Sequence, residues 1–189
     1  MRLVSVLTAV TAAAFLAPAA HAAPAAAAPT SYNVCDKADN SSTRYLSKNG
    51  YSKINAAFCA KVTTDGSSVT IQPFANADAF YWWGAWPAGA WFTDTGVRFG
   101  YPDYSPHLHA KNVSVADSSG TVISDQGRKT GSSSSGHPSI AGSPVPVEHG
   151  ETYTVTFTDA YKTGGYYTVT GADSEVVETG NHTVTVTAP

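Results

Sequence analysis

The residues with the clearest potential for binding chemistry are aromatic, and they are concentrated in one stretch. All four tryptophans of the chain lie in residues 80–92, together with Phe80, Tyr81 and Phe92. Large aromatic rings fill protein cores, and where they are exposed they stack on flat apolar surfaces such as the faces of sugar rings. The stretch therefore predicts either the centre of a core or a binding surface.

Side chains of a β-strand point alternately to its two faces, and this alternation decides where the rings go. Interpreted as a strand, the stretch directs Phe80, Trp82 and Trp86 to one face and Tyr81 and Trp83 to the other. One of these faces can pack into a core. The opposite face then needs a cover, a partner or a ligand, and we expect it to bind.

The ligand that suits such a face is a polysaccharide or a cell-wall glycan. The predicted stacking residues come from the aromatic stretch and the strand after it: Tyr81, Trp83, Trp86, Trp91 and Tyr101. Asp78, Asp94 and Asp103 are candidate acceptors for sugar hydroxyls. The alternative is that the rings are all core, as tryptophans commonly are. In that case the loops at 101–110 and 127–144 would contact another extracellular protein, as in an inhibitor or an adhesion subunit.

Two histidines raise the question of a metal site. His107 and His109 are two residues apart, so on a strand both imidazoles would face the same side. With Asp103 they are candidate ligands for zinc or copper. No third ligand stands at a diagnostic spacing, and Pro102 and Pro106 indicate a loop. We therefore expect exposed loop histidines, with no metal and no cofactor.

The sequence gives little support to catalysis. The serines at 132–135 lie in a glycine-rich run and do not form the G-x-S-x-G turn that holds a nucleophile rigid against its base. Glycoside hydrolysis needs two carboxylates set across a cleft, and the glutamates are confined to the carboxyl-terminal part of the chain. We expect a non-catalytic binding domain.

The amino terminus indicates export. A basic residue at position 2, an apolar run over 3–16 and an A-x-A pattern ending at Ala22 predict a signal peptide at 1–22. The apolar run is shorter than the roughly 20 residues that a membrane anchor needs. We expect a disordered lead-in at 23–30, a single domain at 31–189, and a secreted, extracellular monomer.

Charge and cysteine content limit which classes of partner and which cellular compartment we expect. The formal net charge is −3, with no basic cluster, which argues against nucleic acid and membrane as partners. Cys35 and Cys59 are the two cysteines of the chain, and an even pair in an exported protein predicts a disulfide. The bond would stabilise the fold by about 3–4 kcal/mol and tie a short amino-terminal segment to the domain.

Strand signals run through the rest of the chain. Asp65-Gly66 between 58–64 and 67–74 predicts a hairpin, and a second hairpin pairs 111–116 with 121–124. Residues 52–58 have helical spacing, and the Gly/Ser-rich segment 127–144 is expected to be a flexible loop. Alternation of apolar and polar residues predicts further strands at 97–101, 152–158, 166–170 and 183–187.

Short strands separated by turn signals every 8–12 residues or so predict an all-β fold built as a two-sheet antiparallel sandwich. We take the immunoglobulin-like class first and a jelly roll as the alternative. Both cysteines precede all the tryptophans. The disulfide therefore does not stand in the relation to a core tryptophan that antibody domains show.

Overall fold

The computed structural model describes residues 28–48, 50–84, 88–96, 105–165 and 176–189. These residues form two antiparallel β-sheets and contain no helix. Nothing helical in the described ranges is long and apolar enough to cross a membrane. The predicted signal peptide and the strands expected at 97–101 and 166–170 lie outside these ranges.

Twelve strands are found in the described ranges. They are β1 (Thr30–Cys35), β2 (Thr43–Leu46), β3 (Ser52–Thr64), β4 (Val69–Trp83), β5 (Ala90–Thr93), β6 (His107–Ala116), β7 (Val122–Asp125), β8 (Lys129–Ser132), β9 (Ser139–Ala141), β10 (Val145–Val147), β11 (Thr152–Thr163) and β12 (Val177–Thr187). The first sheet has β3 and β4 at its centre, β1 and β2 beside β3, and β5, β9 and β10 beside β4. The second sheet runs β12-β11-β6, and both β7 and β8 pair with β6.

The two predicted hairpins are confirmed. β3 and β4 pair from Thr64↔Val69 outward, and the Asp65 carboxylate between them accepts the backbone N–H groups of Ser67 and Ser68. These hydrogen bonds hold the pKa of Asp65 well below its usual range, because they favour the ionised carboxylate. The second hairpin joins β6 to β7.

Two expected local structures are replaced by strands. Residues 52–58 open β3, because Ile54, Ala56 and Phe58 all face the core at a period of two. The segment 127–144 contains β8, paired with β6 of the second sheet, and β9, paired with β4 of the first. Gly131 permits the close approach of β8 to β9, since a Cβ there would lie 1.7 Å from the carbonyl oxygen of Ser139.

The hydrophobic core lies between the two sheets. Phe58 of β3 packs edge-on against Phe157 of β11, with ring centroids 5.3 Å apart. Ile54 and Val62 on one side, and Val155 on the other, are completely buried. Burying a side chain of this size stabilises a fold by about 1.5–3 kcal/mol relative to leaving it exposed. The two sheets are therefore held face to face by apolar burial.

The amino-terminal segment is tied to both sheets. The predicted disulfide is present, and it joins Cys35 of β1 to Cys59 of β3, which are directly opposite each other in the register. The next residue, Asp36, reaches across to His182 of β12 with an oxygen–nitrogen distance of 2.8 Å. β1 begins at Thr30, the last residue of the lead-in expected at 23–30, and residues 23–27 lie outside the described ranges.

Candidate functional site

The aromatic stretch forms the β4–β5 hairpin, and its rings divide between two faces. The register pairs Phe80 with Thr93, Tyr81 with Phe92 and Trp82 with Trp91. Residues paired across an antiparallel ladder project to the same face. Tyr81 is also paired with Ser52 of β3, whose side chain points between the sheets. The odd-numbered rings of β4 are therefore on the core side, and the even-numbered rings are on the outer side.

The core-side rings extend past the buried core into an open surface. Tyr81 and Phe92 lie with their ring centroids 5.8 Å apart and their planes inclined by 26°. Trp83, two residues along β4, is 54% exposed, and Phe92 is 45% exposed. Trp83 is paired with Ala90 of β5, which is also exposed. We call Tyr81, Trp83 and Phe92 the platform.

The outer-side rings cover each other. Trp82 and Trp91 meet edge to face with centroids 5.5 Å apart, and the Lys53 ammonium lies 4.4 Å from the centroid of Phe80 and 4.6 Å from that of Trp91. Burial lowers the pKa of Lys53, and the positive charge of Arg44 adds to this. Lys53, Phe80, Trp82 and Trp91, here called the Lys53 cluster, form a cation–π arrangement.

Trp82 is the most enclosed ring of this hairpin, with 8% of its surface exposed. Gly89 passes directly over it, since a Cβ at that position would lie 2.6 Å from the indole. The strand turns back over its own tryptophan, and only glycine fits there. Trp82 is therefore a packing residue and has no open face for a ligand.

The five predicted stacking residues do not form a single surface. Tyr81 and Trp83 belong to the platform, whereas Trp91 is on the opposite face of the sheet and packs in the Lys53 cluster. Trp86 and Tyr101 lie outside the described residues. Phe92 was not predicted, although it stands in the same aromatic stretch and pairs with Tyr81 across the hairpin.

Comparison of the chain with known protein families, with curated proteins and with solved structures finds no match.

Of the acceptors proposed for sugar hydroxyls, the two that the structure describes are not exposed at the platform. Asp94 is 1% exposed and paired with Lys162, so it cannot meet a ligand. Asp78 lies on the outer side of the sheet and is 2.7 Å from Nδ1 of His137. Asp103 is outside the described residues. The groups that the described part of the platform exposes are therefore chiefly its aromatic rings.

The two candidate metal ligands lie on the outer face of the second sheet, within β6, where a loop was expected. His107, His109 and Tyr161 form a stack, with centroid distances of 5.9 Å and 4.7 Å between successive rings. Both ring nitrogens of His109 are hydrogen-bonded to hydroxyls, Nδ1 to Thr130 at 3.0 Å and Nε2 to Thr163 at 2.6 Å. Neither nitrogen is left for a metal.

The electrostatics of His109 agree with a neutral ring. Burial lowers its pKa to about 4, and the nearby charges of Arg128 and His107 act in the same direction. Across the described ranges no three His, Cys, Asp or Glu side chains come together as metal ligands. The stack is accordingly a packed surface of the sheet.

A buried polar cluster between the sheets was not predicted from the sequence. Lys162 of β11 donates hydrogen bonds from Nζ to Oγ of Ser52 at 2.8 Å and to Oδ2 of Asp94 at 3.1 Å. All three residues are 1% exposed. A serine hydroxyl held by a lysine amine resembles a catalytic pair in outline. Here the ammonium is paired with a carboxylate and no substrate can reach the hydroxyl.

Proposed function

We propose that this protein is a non-catalytic domain that binds a polysaccharide or a cell-wall glycan through the platform. The observation that carries the proposal is the exposure of Trp83, 54%, on a strand that is hydrogen-bonded on both sides at that end of the hairpin. About half of this indole is open to solvent on a regular strand, so it is available for contact with a ligand. Phe92 and Tyr81 extend the same face.

The geometry suits a flat apolar ligand face. Aromatic side chains have only two side-chain torsions, so little freedom is lost when a ligand stacks on them. Trp83 faces Ala90 across the ladder, and both residues are exposed. Sugar rings have apolar faces and polar edges, and the surrounding solvent can hydrate those edges while the face stacks.

A second candidate is a protein-interaction module. Val122 and Ile123, both exposed on the short edge strand β7, favour it, because neighbouring exposed aliphatic side chains are typical of contact surfaces. In this case the platform would be incidental and β7 would carry the contact. Loss of partner binding on changing Val122 and Ile123 to serine, with Trp83 intact, would identify this function.

We further propose that the protein is secreted after removal of residues 1–22 and that its connectivity is immunoglobulin-like. The disulfide is compatible with an extracellular location. The strand orders β3-β4-β10 and β12-β11-β6-β7 support the topology, because the chain changes sheets three times, after β5, after β8 and after β10. A jelly roll is the alternative.

Affinity gel electrophoresis tests the glycan proposal. Gels containing cellulose, chitin or extracted cell-wall polysaccharide should retard the parent protein on at least one of them. Trp83→Ala and Phe92→Ala should restore free migration. Tyr32→Ala is the matched control, since Tyr32 is also an exposed aromatic residue but lies on β1. Free migration of the parent on every glycan, or equal retardation of Trp83→Ala, would contradict the proposal.

A further inference from the structure

Lys162 and Asp94 are a charged pair that the fold has removed from water. Lys162 comes from β11 of the second sheet, whereas Asp94 directly follows β5 of the first. Their Nζ and Oδ2 atoms are 3.1 Å apart, and both side chains are 1% exposed. Desolvating an ammonium and a carboxylate carries a large free-energy cost, which can exceed the attraction between the two charges.

The backbone packs tightly around the carboxyl group. A Cβ on Gly165 would lie 1.8 Å from Oδ2 of Asp94, so the chain leaving β11 presses directly on this carboxyl. Gly136 packs on the backbone of the same residue, where a Cβ would lie 3.1 Å from the main-chain carbonyl oxygen of Asp94. Ser52 holds the amine at 2.8 Å. Gly165 thus confines the carboxyl group, Gly136 confines the backbone that carries it, and Ser52 holds the amine.

We propose that Lys162 and Asp94 condense to form an intramolecular amide bond that joins the two sheets covalently. This proposal is independent of glycan binding. It rests on an amine and a carboxyl group held in contact, out of water and on opposite sheets.

The step balances without an additional reagent. A proton passes from Nζ to Oδ2 along the existing hydrogen bond, which gives a neutral amine and a carboxylic acid. The nitrogen then adds to Cγ, and the carbon–oxygen bond breaks. The hydroxyl leaves with one amine proton as water, and the second amine proton remains on the amide nitrogen. The hydroxyl of Ser52 accepts a hydrogen bond from the amine and can relay its proton.

Two physical effects favour this reaction at this place. Groups held in an oriented contact react with effective molarities of about 10⁵–10⁸ M. Folding has already brought the amine and the carboxyl group together, so the reaction itself loses little further entropy. Condensation also converts two buried ions into one neutral amide and releases the water to bulk solvent, which removes the desolvation cost of the charges. An exposed lysine–aspartate pair has neither advantage.

Intact-mass spectrometry of the reduced, denatured protein tests the proposal. The amide predicts a mass lower than that calculated from the sequence by one water molecule. Lys162→Arg keeps the positive charge but should not form the bond, so it should show the full calculated mass. Asp65-Gly66 can also lose water, and that loss would persist in Lys162→Arg. The full calculated mass for the parent would overturn the proposal.

Tryptic mapping locates the bond in the parent protein and so does not depend on whether a variant folds. Without the amide, trypsin cleaves after Lys162 and releases 130–162 and 163–189 as separate peptides, with Asp94 in 62–98. With the amide, the cleavage after Lys162 is blocked and 130–189 is recovered joined to 62–98. Recovery of free 163–189 in full yield would contradict the proposal.

Discussion

The imidazole of His182 lies flat on the ring of Phe58, with ring centroids 3.7 Å apart and the planes inclined by only 8°. Phe58 is at the centre of the core on β3, and His182 is on β12 at the edge of the other sheet. The Nδ1 atom of His182 is 2.8 Å from Oδ2 of Asp36, next to the disulfide. This histidine therefore joins the core, the second sheet and the amino-terminal segment.

His182→Ala should destabilise the protein by about 3–4 kcal/mol, because it removes a stacked ring and leaves the Asp36 carboxylate without its partner. Among the described residues, Oδ1 of Asp36 is already buried without a hydrogen bond, so the variant would leave the whole carboxylate unpaired. Urea unfolding at neutral pH measures the change. The control is His149→Ala, at an exposed histidine, which should cost well under 1 kcal/mol. Equal effects of the two changes would show that the His182 contacts add no stability.

Acid should weaken the fold as pH falls below about 6.5. Burial lowers the pKa of His182, although Asp36 opposes this, and it lowers the pKa of His109 to about 4. The unfolded chain therefore binds protons before the folded chain does. The stability that the neutral rings contribute is complete above the unfolded pKa and is lost as pH falls toward the folded pKa. For His109 this amounts to up to about 3 kcal/mol.

Urea unfolding at a series of pH values between about 7 and 4 measures this loss. His109→Gln keeps hydrogen-bonding groups near Thr130 and Thr163 but does not titrate, so its loss over the same interval should be smaller. A parent protein whose stability is unchanged from pH 7 to 4 would rule out the buried neutral state of both rings.

Removing the disulfide should lower the free energy of unfolding by about 3–4 kcal/mol, because the 24-residue separation between the cysteines then adds freedom to the unfolded chain. The double variant Cys35→Ser, Cys59→Ser should melt at a lower temperature, and reducing agent should lower the parent to a similar value. If both thiols of the parent are shown to be reduced and its melting temperature is unchanged, the disulfide does not stabilise the fold as expected.

Trp82 and Trp83 should differ sharply in fluorescence, although they are neighbours in sequence. Trp82 is 8% exposed and Trp83 is 54% exposed. Trp83→Phe should remove a red-shifted, acrylamide-accessible part of the emission, whereas Trp82→Phe should remove a blue-shifted, protected part and lower stability by a few kcal/mol. If acrylamide quenched the emission of Trp82 and left that of Trp83 protected, the exposures assigned to the two rings would be contradicted.

The parts of the fold that follow from local sequence were predictable. Asp65-Gly66 determines a turn with side-chain hydrogen bonds of its own, and the alternation from Phe80 to Trp83 assigns the rings to opposite faces. β8 and β9 were missed because this Gly/Ser-rich segment has no alternating side-chain pattern. It forms strands through backbone pairing with β6 and β4. Periodicity divides the rings between two faces of the strand, but it does not predict which of them neighbouring residues will bury.

The buried lysine was missed for a different reason. Tyr153, Val155 and Phe157 face the core at odd positions, and continuing that alternation would place Lys162 outside. The register of β11 with β12 shifts between Phe157 and Ala160, and Asp159 there has a φ of 44°. This irregularity moves the core face to even positions and brings Lys162 inside. The sequence pattern gives no sign of such a shift.

The decisive measurement for glycan binding at the platform is the affinity of Trp83→Ala for a soluble oligosaccharide, taken from a glycan that retards the parent. Isothermal titration calorimetry should show a loss of about tenfold or more for Trp83→Ala, because an exposed indole at the centre of a contact commonly contributes above 1 kcal/mol. Tyr32→Ala should bind as the parent does. Unchanged affinity of Trp83→Ala would contradict the proposal that the platform is the binding surface.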